Sequence, residues 1–64
     1  MKDGIYETKD TRYFVHNGKV IMNIKGIGWF KTTKHFVSWA TWVDDLNSAM
    51  KANFDTAYAQ AKQW

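Results

Sequence analysis

A chain of 64 residues with no cysteine excludes disulfide staples and thiolate metal sites, and its two histidines leave little for an imidazole site. That length makes one domain near the lower limit for unaided folding, so stability must come from dense apolar burial or self-association; an aromatic content of 17% favours burial. The net charge of +3 is uneven: Thr11 to Val43 carries Arg12, Lys19, Lys25, Lys31 and Lys34 without one Asp or Glu, which suits nucleic acid, an acidic protein surface, or plain solubility.

The opening "MKDGIYETKD" lacks the apolar core of a signal peptide, and no run approaches the ~20 apolar residues of a membrane helix. The expectation is a cytoplasmic protein without membrane contact. Within residues 1–11, "IYET" followed by Lys9-Asp10-Thr11 suits either a flexible lead-in or a short edge strand and turn.

"RYFVHNGKVIMNIKG" predicts a β-hairpin, because Asn17-Gly18 is the pair that best tolerates positive φ at both turn positions. The turn sets the register. Val15 then faces Val20 and Tyr13 faces Met22, with Ile24 continuing that row; this face is the expected core. On the other face His16 meets Lys19, Phe14 meets Ile21 and Arg12 meets Asn23. That second face is basic around one apolar pair, and is the first candidate for a working surface.

Gly26 and Gly28 around Ile27 predict a bend. "WFK", "TTK" and "HFVSWATWV" then read as a second hairpin on composition, although Phe36, Trp39, Ala40 and Val43 also share helical spacing. If 36–43 is a strand, Trp39 and Trp42 point to opposite faces, and one helix cannot cover both. At least one tryptophan is then exposed. From Asp44-Asp45 the period becomes helical, with Leu46, Ala49, Met50, Phe54, Ala57, Ala61 and Trp64 on one stripe. Asp44 or Asp45 is the expected cap, and Asn53-Phe54-Asp55 a point where the helix could divide. The fold expected is α+β in one domain: an antiparallel β-meander of three to four strands over 12–43, followed by a C-terminal helix over 44–64 packed on one face.

No catalytic constellation is legible. Ser38 and Ser48 stand in no nucleophile context, there is no glycine-rich phosphate loop, and Asp44-Asp45 reads as a cap rather than an acid/base or metal pair. The expectation is no enzyme, no metal and no cofactor. The candidate partner-binding residues are Phe14, Ile21, Trp29, Phe30 and Trp42, rimmed by Arg12, Lys19, Lys25, Lys31 and Lys34. An apolar centre with a charged edge is interface anatomy. The same aromatics beside lysines suit single-stranded nucleic acid, and a leftover aromatic face also suits a homodimer.

"GWFK" at Gly28–Lys31, the later Asp44-Asp45 and the helix after it resemble the small accessory proteins of tailed bacteriophages, antitoxins of T-even phages among them, from Gly28 to about Met50. Trp29 and Phe30 are the matching aromatics. The resemblance implies a short, cysteine-free, non-enzymatic inhibitor that binds and blocks a host or defence protein in the host cytoplasm.

Overall fold

One six-stranded sheet carries the chain, and the computed structural model describes all of residues 1–64. Its elements are β1 (Gly4–Glu7), β2 (Thr11–His16), β3 (Lys19–Ile24), β4 (Gly28–Thr32), α1 (Lys34–Val37), β5 (Thr41–Asp44), α2 (Ser48–Gln60) and β6 (Lys62–Gln63). The order across the sheet is β5-β1-β2-β3-β4-β6. The class is α+β as expected, with more strands than the predicted meander.

The central hairpin follows its turn. Asn17 and Gly18 adopt φ of +49° and +78°, and the pairing Val15–Val20, Tyr13–Met22, Phe14–Ile21 and His16–Lys19 is the register read from the sequence. β1 pairs with β2 on one side and β5 on the other, so "IYET" lies inside the sheet rather than at its edge. The bend at Gly26 is the turn of the β3–β4 hairpin.

The second hairpin does not form. Residues 34–37 make one helical turn, and only Thr41–Asp44 is strand, pairing with β1 at the far side of the sheet. β4, β5 and β6 all run parallel to β2, so β4 to β5 and β5 to β6 are crossovers, each needing a connection over a sheet face. The segment carrying α1 covers one face and α2 the other.

Both faces are therefore core. Under α1, Tyr6, Tyr13, Val15, Val20 and Met22 pack with Val37. Under α2, Ile5 and Ile21 pack with Leu46, Phe54 and Ala61. This corrects the expectation of one buried and one open basic face: Ile21 is 3% exposed. A signal was present, because "VIM" in β3 is an unbroken apolar run, and strands buried on both faces lose the alternation of half-buried ones.

α2 starts later than predicted. Asp44 is still in β5, and Asn47 caps the helix through its Oδ1, which accepts from the Met50 N–H at 2.9 Å. No break occurs at Asn53-Asp55; Asn53 Nδ2 instead donates to the Ala49 carbonyl at 2.9 Å. No helix is long and apolar enough to cross a membrane.

Candidate functional site

α2 is rich in alanine, and Phe54 is its one buried side chain. Short side chains cannot fill the space above the wide rings of Phe14 and Trp29. Between helix and sheet they leave an open cleft of about 320 Å³, lined by Phe14, Ile21, Trp29, Leu46, Met50 and Phe54, with Ala57 and Asn53. Asn53 is the only polar residue among them. The volume lies at the lower end of ligand pockets, enough for one or two apolar side chains.

Sheet register explains the assembly. Across β1 to β4 the face under α2 presents the row Ile5, Phe14, Ile21, Lys31, and beside it the row Glu7, Arg12, Asn23, Trp29. Phe14 and Trp29 lie diagonally across these rows, with centroids 5.4 Å apart at 37°. Phe54, the anchor of α2, meets the His16 ring edge-on at 5.2 Å, at the Asn17-Gly18 end of the hairpin. The helix is thus seated towards that end, while Met50 and Trp29, 36% and 47% exposed, stand at the cleft's open side. The Trp29 indole N–H has no hydrogen-bond partner within the protein, unlike that of Trp42.

Of the residues singled out from sequence, Phe14, Ile21 and Trp29 meet here, with Ile21 as buried floor rather than exposed anchor. Phe30, next to Trp29 in a strand, faces the other way and packs on the α1-side core and on Trp64 at 5.2 Å. Trp42 is structural: half-buried, it donates its indole N–H to the Asp3 carbonyl at 3.3 Å, with the Lys2 ammonium 3.7 Å above its ring. The predicted exposed tryptophan is instead Trp39, at 78% the most exposed large apolar residue. Met50 escaped notice because its place on the helical stripe marked it as core.

The basic residues do not form one rim. Arg12 shares the row of Trp29 and holds Glu7 at 2.8 Å. Lys25 lies in the β3–β4 turn, near the same end of the sheet; both line a shallow polar hollow with Asn23, Glu7 and Asp10. Lys19 and Lys31 converge on the Tyr58 ring, 5.5 and 5.2 Å from its centroid, and Lys19 also reaches Asp55 at 3.4 Å. Lys34 opens α1 on the opposite face. No three His, Cys, Asp or Glu side chains come together. Searches of protein-family models, curated proteins and solved structures find no match for this chain.

Proposed function

We propose that this protein is a non-enzymatic binding module that blocks a host or defence protein, in the manner of small phage accessory proteins, by taking an apolar anchor of that protein into the α2–sheet cleft. One observation carries the reading: a nearly all-apolar cleft is left open on a small protein, with a half-exposed tryptophan and a methionine at its mouth. Aromatic side chains flanking a water-excluding pocket are the usual energetic centre of an interface, and methionine adapts to varied shapes. Nucleic acid stacked on the Phe14–Ile21 face is less well supported, because α2 lies over that face.

The test is a pull-down from bacterial lysate, with and without nuclease and at low and high salt, comparing the wild type with Met50→Glu and Trp29→Ala. One protein should remain in stoichiometric amount through both treatments and be lost from Met50→Glu. Trp29→Ala should weaken its binding by roughly 30-fold or more, as for an interface hot spot. Equal retention by both variants would remove the cleft from the interface. Recovery of nucleic acid alone, or of nothing but a self-associated bait, would replace the reading with one of its competitors.

A further inference from the structure

A second group of exposed aromatics lies away from the cleft, where the end of β4 meets α1 and β6. A hollow of about 340 Å³ there is bordered by Lys31, Thr32, Phe36, Tyr58, Gln63 and Trp64. Trp64 is 62% exposed yet held edge-on against Phe30, and Phe36 is 41% exposed on α1. The Thr32 hydroxyl oxygen is buried and has no hydrogen-bond partner within the protein. Charge is one-sided: Lys31, Lys34 and Lys62 stand on or beside these elements, and residues 31–43 and 62–64 contain no Asp or Glu.

Exposed aromatic rings, the Thr33 hydroxyl and the Gln63 amide bordering the same hollow, and ammonium groups outside it match the chemistry of one nucleotide of a single strand. Bases of any sequence stack on exposed rings, hydroxyls and amides reach base edges, and lysines meet phosphates. A hollow of this size suits a ring system rather than a helix. An acidic peptide would satisfy the lysines but would make less use of two exposed aromatic rings. We propose that this hollow is a stacking slot for single-stranded nucleic acid, with Trp64 and Phe36 against a base and Lys31 and Lys34 towards the flanking phosphates. The site is independent of the cleft and does not depend on the reading given for it.

The experiment is fluorescence anisotropy of a labelled oligodeoxythymidine of roughly ten nucleotides, titrated with the full chain from about 20 to 200 mM salt. The comparison ligands are an abasic oligonucleotide of equal length and polyglutamate. Binding should saturate at low salt, with log K falling against log salt at a slope of about −1.4 for two phosphates. Trp64→Ala and Phe36→Ala should each weaken binding roughly 5- to 100-fold, Trp64→Phe should largely restore it, and Lys31→Gln should flatten the slope by about 0.7. Circular dichroism checks the fold of each variant, and Phe36, exposed on α1, offers a test that leaves the Phe30–Trp64 contact intact. The proposal is overturned if no saturable binding occurs at low salt, or if the abasic strand or polyglutamate binds as tightly. It is equally overturned if folded Phe36→Ala binds like wild type while the lysine change alone has an effect.

Discussion

At the residue scale, Gly4 shows how a small side chain can be fixed by its neighbours. Its φ is +145°, and a Cβ placed there would strike the Trp42 indole nitrogen and come within 2.8 Å of the Asp44 carbonyl oxygen. Gly4→Ala therefore combines backbone strain with overlap at the β1–β5 seam, and should cost at least roughly 1–3 kcal/mol, read as a lower urea midpoint. Tyr6 and Tyr13 make a different claim. Burial raises both phenol pKa values, and for Tyr6 the nearby Asp3 carboxylate adds to the rise. A folded-state value above the unfolded 10.0 means the neutral phenol is favoured in the fold. That contribution is whole below pH 10 and lost as pH rises through the folded values. Stability should thus decline above about pH 10, and the decline should be smaller in Tyr13→Phe, as followed by chemical denaturation at each pH.

At the scale of elements, the cap of α2 separates two readings of one stretch. Sequence pattern assigns it to Asp44 or Asp45, but Asp44 belongs to β5, where it pairs with Ile5, and its Oδ1 accepts from the Asp45 N–H at 2.8 Å. Leu46 must reach the core before the helix can start, which moves the cap to Asn47. Asn47→Ala should cost about 1 kcal/mol, a fall in Tm of roughly 4–8 °C for a domain of this size. Asp45→Ala should leave Tm nearly unchanged, and a thermal melt of both variants checks the pair. α1 is a shorter case. Composition favoured a strand over 36–43, yet the chain had to cross the sheet there, and one helical turn brings Val37 onto the core while leaving Phe36 and Trp39 outside.

At the scale of the whole molecule, a sheet with both faces covered explains how so short a chain builds a core without staples. It also explains the cleft. α2 is held mainly by Phe54, with Leu46 before it and Ala61 after it, so its first turn has little to bind it to the sheet. Met50→Glu should consequently leave the fold intact while closing the cleft to an apolar anchor, which makes it the cleaner variant of the pull-down. Trp29→Ala removes a ring that also packs on Phe14, so its binding result is read beside its thermal melt.

The parts legible in the amino-acid order were those set by neighbours in the chain. Asn17-Gly18 specified a turn, the turn specified the Val15–Val20 and Phe14–Ile21 pairs, and the period of 3.6 specified a helix within 44–64, although the helix spans only Ser48–Gln60 and residues 62–63 join the sheet as β6. The Phe14–Ile21 pair and the His16–Lys19 pair beside it on the same face followed from that register. What lay beyond reach was long-range: β5 joining β1, β6 joining β4, α2 settling on the Phe14 face, and Trp42 turning inward while Trp39 stayed out. Local propensity cannot decide these, because each depends on which distant surface buries more apolar area once the hairpin exists. Both faces of that hairpin offered apolar residues, so only the completed packing determined what covered each of them and where a cleft was left.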